Sequence, residues 1–214
     1  ISTPPNIHYK YFLYAARRKK HFFVEHPTTD DGYKELYKLQ TTNQKLQTFT
    51  GIPSCSWRFN PSVKKIKGLL EKGVIGKVLA FQYHMGQYLP DWHPWEDYRK
   101  VYFSKKATGA CREMFAFELG WLTYALHLSK VKSIAGTVKK LSDLDMDADD
   151  FYSAHLNFTD GTPGTVIIDL LARKPFRTLR IIGSAGVLEG EWRDYTIKIH
   201  KSINTAPKKP KKAA

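Results

Sequence analysis

The chain has 214 residues, 42% of them hydrophobic and 25% charged, with a formal net charge of +14. That length allows one large domain or two small ones with a real core, and the composition excludes a disordered chain. No apolar run approaches the roughly 20 residues of a membrane span, and the cysteines, Cys55 and Cys111, are too few for a disulfide framework and match no metal spacing.

Residues 1–6 read as the end of a strand and a turn, with Ser2, Thr3 and Asn6 able to cap the next helix. Tyr11, Phe12, Tyr14 and Ala15 form an apolar stripe on a helix over residues 8–20, closed by Arg17, Arg18, Lys19 and Lys20 where positive charge suits the helix dipole. Phe22-Phe23-Val24-Glu25-His26-Pro27 is the stretch around which the rest is organised. Three apolar residues predict a buried parallel strand, and Pro27 stops it, so Glu25 and His26 fall at its carboxyl end, where open α/β sheets place ligands. A His–Pro bond in cis is one way to turn His26 into a cleft; a plain strand-to-helix turn is the other reading.

Thr28 or Thr29 caps a helix running to about Lys45 that carries Tyr33, Leu36, Tyr37 and Leu39 inward, and residues 46–52 form a second strand. A helix over residues 61–72 presents Val63, Ile66, Leu69 and Leu70 to the core and Lys64, Lys65 and Lys67 to water. Residues 78–88 then alternate as in a sheet with one wet face. A polar aromatic loop spans 89–98, and residues 112–128 are apolar almost all round, which predicts a buried helix. Strands are expected at 133–141, 151–158, 164–171, 178–183, 187–192 and 195–200, with Asp160-Gly161 a hairpin turn and another turn at Arg193-Asp194. The expected fold is α/β plus α+β: a partial Rossmann unit of parallel βα elements, then an open, mainly antiparallel sheet backed by helices. Lys208, Lys209, Lys211 and Lys212 lie in a Pro/Ala/Lys tail over 205–214, expected to be solvated and disordered; no nucleic-acid motif accompanies it. The aspartates from Asp143 to Asp150 resemble a calcium loop only in their spacing, since Ala148 and Ala154 stand where Gly and Glu are needed, so a solvated connection is expected and no metal.

Four motifs stand in order: Thr3-Pro4-Pro5 with His8, then Phe23-Val24-Glu25 with Pro27, then Arg58-Phe59-Asn60-Pro61, then Gly73 with Ile75-Gly76-Lys77. Together they resemble the Gfo/Idh/MocA family of NAD(P)-dependent sugar and cyclitol oxidoreductases. Gly86-Gln87-Tyr88-Leu89-Pro90-Asp91-Trp92 and Asp97-Tyr98-Arg99 look like members tied to sugar-nucleotide or nonulosonic-acid pathways. The resemblance implies a Rossmann unit over residues 1–52, a sheet domain over 53–204, hydride transfer to or from NAD or NADP, a sugar-like substrate, and subunits paired through the open sheet. It also implies a cofactor-facing set of Thr3, Pro4, Asn6, His8, Glu25, His26 and Arg58, and substrate contacts from Tyr88, Trp92, Tyr98, Arg99 and Arg112.

The chain departs from that family's pattern in three places. His26 stands where a Lys is expected. In the helix motif Met114 or Phe115 falls near an expected Asp, and Phe117 or Glu118 near an expected His. No Gly-x-Gly-x-x-Gly turn precedes the strand at residue 22, so the chain reads as truncated at its N-terminus and tight NAD binding by it alone is not expected. Gly183-Ser184-Ala185-Gly186 reads as a turn between strands. His26 is then the candidate proton acceptor, with Glu118 as its orienting group or as the base, unless His26 only caps its turn and Glu118 is neutralised by Arg112 or a lysine. Two functions remain open: an oxidoreductase, or a non-catalytic relative that keeps the sheet for assembly. A reducing cytoplasm is the expected location.

Overall fold

Phe22, Phe23 and Val24 form β1 (Phe22–Val24), which pairs in parallel with β2 (Gly51–Pro53), Phe22 opposite Gly51 and Val24 opposite Pro53. The computed structural model describes residues 1–26, 29–41 and 49–201. The stop at Pro27, the His–Pro bond, the Thr28 cap, the helix end near Lys45, the first part of the expected second strand and the tail over 205–214 lie outside them. Gly51 is required at its position, because the Phe22 ring would stand 2.3 Å from an added Cβ.

Two helices accompany this small sheet, α1 (His8–Arg17) and α2 (Tyr33–Thr41). Phe12 is buried and its ring meets Phe22 at 6.0 Å and Tyr33 at 5.3 Å between centroids. The buried face of α1 is His8, Phe12, Leu13 and Ala16 rather than the expected Tyr11, Tyr14 and Ala15. A tyrosine satisfies its hydroxyl in water, and Tyr14 instead underlies the Arg18 guanidinium at 3.6 Å. Tyr37 of α2 likewise points outward and is exposed, against expectation.

Asn60 opens α3 (Pro61–Glu71): its side-chain oxygen accepts from the Ser62 and Val63 N–H groups at 2.9 and 3.4 Å, and Pro61 occupies the first turn. Val63 and Ile66 are fully buried. The main sheet comes next, with β3 (Val78–Gly86), β4 (Val131–Lys139), β5 (Phe151–Phe158), β6 (Pro163–Asp169), β7 (Phe176–Gly183), β8 (Gly186–Glu191) and β9 (Thr196–Lys201). Its order is β4-β5-β6-β3-β7-β8-β9, and every neighbour pair is antiparallel except β3 with β6. The mainly antiparallel sheet expected from the alternation is therefore present. Asp160-Gly161 makes the β5–β6 turn, with Gly161 at φ +88° and Asp160 accepting the Thr162 N–H at 2.9 Å. The Gly183–Gly186 stretch joins β7 to β8 as a hairpin.

Period-two alternation sends Phe81, Tyr83 and Met85 of β3 into the core with Val166, Ile168, Leu179, Ile181 and Leu188. Against that face lies α4 (Ala110–Ala125), through Met114, Trp121, Leu122 and Ala125. The helix spans less than the expected 112–128 at its far end and is not buried all round, since Arg112 and Tyr124 face out. The opposite face of the sheet carries Gln82, His84, Arg180, Glu189 and Lys198 and is left open. No helix among the described residues is long and apolar enough to cross a membrane.

Candidate functional site

His26 lies just past the end of β1. The Ser54 N–H donates to the Val24 carbonyl at 2.7 Å, which brings the exit of β2 beside it, and His26 Nδ1 reaches the Ser54 carbonyl at 3.2 Å. A ring nitrogen facing a carbonyl must carry the proton, so in the neutral ring Nε2 holds the lone pair. Nε2 is buried and makes no hydrogen bond of ordinary length among the described residues, although the Ala116 carbonyl of α4 also acts on the ring. The Phe117 ring of α4 stands edge-on to His26 at 5.3 Å. A Cβ at Gly120 would lie 3.8 Å from both His26 Cε1 and Cys55 Sγ, so α4 closes over the imidazole at a residue with no side chain. Burial lowers the His26 pKa from its usual value, against the opposing pull of the Ser54 and Ala116 carbonyls, Glu118 and Glu25. The ring is held neutral.

The expected cofactor-facing residues divide into two groups. Ile1 runs beside β1, its N-terminus donating to the Phe23 carbonyl at 2.6 Å and its carbonyl accepting the Glu25 N–H at 3.0 Å. That places Thr3, Pro4, Asn6 and His8, which turn into α1, alongside Glu25 and His26. His8 Nε2 donates to the Thr3 carbonyl at 2.7 Å, while the Thr3 hydroxyl and His8 Nδ1 are buried without partners among the described residues. Arg58 stands apart: it is exposed and lies over the Tyr124 ring at 5.1 Å, further along α4.

Glu118 does not occupy the place expected of a base. It is fully buried, accepts the Tyr83 hydroxyl at 2.6 Å and the Trp121 indole N–H at 2.5 Å on one oxygen, and pairs with Arg177 Nε at 3.1 Å through the other. Its counter-charge is Arg177, not Arg112 or a lysine. Burial together with this carboxylate pushes the Tyr83 hydroxyl well above the usual phenol range. A carboxylate so engaged, with three donors on its two oxygens, is held in the core by Tyr83, Trp121 and Arg177.

The titratable carboxyl that remains on α4 is Glu113. Residues 113, 117 and 120 share a helix face, so Glu113 lies on the side that covers His26. Burial raises its pKa to about 7, the Tyr102 hydroxyl donates to one oxygen at 3.3 Å, and the other oxygen is buried without a partner among the described residues. Tyr102 is itself partly buried and feels the charge of both Glu113 and Glu25, and its own pKa is pushed up to about 12. Tyr102 lines a cavity of about 380 Å³ with Trp92, Tyr98, His93 and Glu96.

Of the expected substrate contacts, Trp92 and Tyr98 thus reach this cavity, Trp92 packed edge-on to Phe103 at 4.1 Å and the Tyr98 hydroxyl accepting the Asp145 N–H at 3.1 Å. The others are drawn elsewhere. Arg99 is held in a fork by Asp97 of its own loop, at 2.7 and 2.8 Å, and that guanidinium lowers the Asp97 carboxyl to about 2. Tyr88 lies 3.6 Å under Arg173. Arg112 is exposed beside Tyr152. Among the described residues no cluster of three or more His, Cys, Asp or Glu side chains is disposed to hold a metal ion. Asp150 instead accepts the Leu141 and Ser142 N–H groups, and Asp147 that of Lys106.

Residues 63–189, more than half of the chain, match the GFO/IDH/MocA C-terminal domain family. The chain belongs to the Gfo/Idh/MocA family. It is 32% identical over 92 residues to the levoglucosan dehydrogenase of Pseudarthrobacter phenanthrenivorans, an alignment covering 43% of this chain and 22% of that protein. A solved levoglucosan dehydrogenase in complex with NADH and levoglucosan superposes with a TM-score of 0.77 at 19% identity, over 97% of this chain and 58% of that one. The WlbA dehydrogenase from Bordetella pertussis, in complex with NADH and UDP-GlcNAcA, gives 0.75 at 16% identity, over 96% and 62%. At those identities the likeness is one of fold, and the chain spans about three fifths of each solved structure.

Within this Gfo/Idh/MocA chain, Glu113, Tyr102 and Arg177 are what sequence reasoning missed. Glu113 stands one helical turn before Phe117, and that spacing was the available signal for it. Arg177, 59 residues from Glu118, has no local signal at all.

Proposed function

We propose that this chain supplies the proton-handling and sugar-facing part of an NAD(P)-dependent oxidoreductase that acts on a sugar or sugar-nucleotide hydroxyl or carbonyl. The observation that carries the reading is the buried, unpartnered Nε2 of a neutral His26 at the carboxyl end of β1. In the direction of oxidation, Nε2, once Phe117 and Gly120 of α4 draw back from the ring, takes the proton of the substrate hydroxyl as the carbon–oxygen double bond forms. The Ser54 carbonyl, on Nδ1, fixes the ring and favours the imidazolium produced. Glu113, with a pKa near neutrality, is the group on the opposing helix able to exchange a proton at pH 7. Trp92 and Tyr98 offer aromatic surface to the sugar in the cavity beside Tyr102.

The fit to a nicotinamide nucleotide is partial. The orphaned Thr3 hydroxyl suits its amide or ribose edge, with Pro4, Asn6, His8 and Glu25 near it. No glycine-rich strand-to-helix turn among the described residues suits its pyrophosphate. When bound, that group supplies the hydride acceptor or donor. In this reading residues 1–52 are the nucleotide-facing unit and 53–204 the sheet domain. Cys55 and Cys111 are free thiols, which suits a reducing compartment such as the cytoplasm.

The test is nicotinamide absorbance with NAD or NADP and a panel of sugars that includes levoglucosan and a UDP-linked uronic acid. Turnover that falls at least about 100-fold in His26→Ala supports the proposal; turnover unaffected by that change removes His26 from the chemistry.

A second reading is favoured by the uncovered sheet face. The open face runs from Gln82 and His84 through Thr165 and Ile167 of β6 to His155 and Ser153 of β5, and a hollow of about 510 Å³ lies over β3, β7 and β8. We propose that a second copy covers this face. Light scattering of the protein and of a Thr165→Lys, Ile167→Lys variant, altered on the open face, decides it: a dimer that becomes a monomer supports the pairing, and a monomeric parent rules it out.

A further inference from the structure

A cavity of about 490 Å³ lies at the edge of the main sheet, between the turn preceding α3, the start of β7 and the β8–β9 turn. Trp57 and Tyr195 give it aromatic faces. Tyr195 is 79% exposed and held at φ +50°, a conformation that bulky residues seldom adopt and that sets its ring at the cavity mouth. Arg177 is fixed there from behind by Glu118 and lies over the Trp57 ring at 4.6 Å.

The polar side chains of this cavity are biased toward donors. Trp192 is more than nine-tenths buried, and its indole N–H has no partner among the described residues. Asn60 has committed its oxygen to the cap of α3, which leaves its amide N–H groups. The Arg193 guanidinium has no partner among the described residues; only its backbone N–H is used, on Glu191. A buried donor without an acceptor is destabilising, and here the protein supplies indole, amide and guanidinium N–H groups to one space. A ligand matching them brings acceptors and negative charge, on a body with an apolar face for the Tyr195 phenol ring.

We infer that this cavity is a binding site for an anionic sugar, its pyranose ring against the exposed Tyr195 ring beside Trp57 and its carboxylate or phosphate ester on Arg193 and the Trp192 N–H. The carboxylate of a uronic acid and the phosphate of a sugar phosphate present the same acceptors. Binding here needs no nicotinamide nucleotide, so the outcome is separate from that of the activity assay.

The test is titration of the protein with glucuronate, with glucose 6-phosphate and with glucose, read on the assigned indole N–H signals of Trp57 and Trp192 in proton–nitrogen correlation spectra. A saturable shift with either anionic sugar is expected, with glucose at least about tenfold weaker, since the charge-assisted contacts are lost. Arg193 lies in an exposed turn, so Arg193→Glu leaves the fold intact and weakens the anionic sugar by at least the same factor. A response to one anionic probe alone identifies the anion that the site takes. No saturable shift with either, or equal binding of glucose, or equal binding by Arg193→Glu, overturns the inference.

Discussion

Glu118 and Arg177 form an ion pair at 3.1 Å in which the carboxylate is fully buried and the guanidinium side chain is 23% exposed. The pair ties α4 to the start of β7, and Tyr83 and Trp121 both donate to the other oxygen of the acid. The acid of the helix motif is thereby withdrawn from the cleft, and the charge of Arg177 is neutralised beside it.

Removing one partner of such a pair leaves an uncompensated buried charge. Arg177→Met is therefore expected to destabilise the protein by about 3 kcal/mol or more in urea denaturation, with Glu118→Gln, Arg177→Met together less destabilised than the sum of the single changes. An Arg177→Met variant within about 1 kcal/mol of the parent would show that Glu118 is stabilised by something other than this guanidinium.

Much of the sheet was legible because its signals are local. The alternation of Phe81, Tyr83 and Met85 with Gln82 and His84 fixes which face of β3 is buried, and Asp160-Gly161 fixes a hairpin. The strand at residues 22–24 was legible in its place and its parallel pairing but not as a buried one, since Phe23 is exposed and only Val24 is buried. What the chain did not disclose depended on partners distant in sequence. Tyr11 and Tyr14 have the spacing of a buried stripe, but the face of α1 is chosen by Phe22 and Tyr33, which Phe12 meets. Between Glu113 and Glu118, which carboxyl is held in an ion pair was decided by Arg177, on a strand that no helical spacing reveals.

Asn60 connects the cap of α3 to the aromatic turn that holds Trp57. Its oxygen is the acceptor for two otherwise unpaired N–H groups. Asn60→Ala is expected to lower stability by about 1 kcal/mol and Asn60→Asp to retain most of it, measured as shifts in the urea midpoint at constant slope. Equal losses in both variants would mean that the amide, not the acceptor, matters.

Glu113 gives a stability that depends on pH with a definite sign. Its folded pKa is raised from 4.5 to about 7 by burial, so the folded state holds the proton more tightly than the unfolded chain. The contribution is complete below 4.5 and is lost as pH rises through about 7, amounting to roughly 3 kcal/mol at most. Glu113→Gln removes the titration. Urea denaturation across this range is expected to show the parent losing stability relative to the variant as pH rises. Parallel pH profiles would place the carboxyl in solvent.

His26 acts in the opposite sense. Its pKa is depressed below the usual 6.5 by burial, so the stability linked to it is present above 6.5 and is lost as pH falls through its folded pKa. The same neutral form is the one able to accept a hydroxyl proton. Turnover in the direction of oxidation is therefore expected to hold constant down through pH 6.5 and to fall only on its acid side, at the lowered pKa of the ring. Substituting Gly120 by Ser places a polar side chain where an added Cβ would stand 3.8 Å from His26 Cε1. The added hydroxyl dipole beside the imidazole favours its charged form, raises its pKa and moves the acid limb toward neutrality, with little change in the plateau. An acid limb already centred at 6.5 in the parent, or unmoved by Gly120→Ser, would mean that the group titrating in the profile is not the imidazole beneath α4.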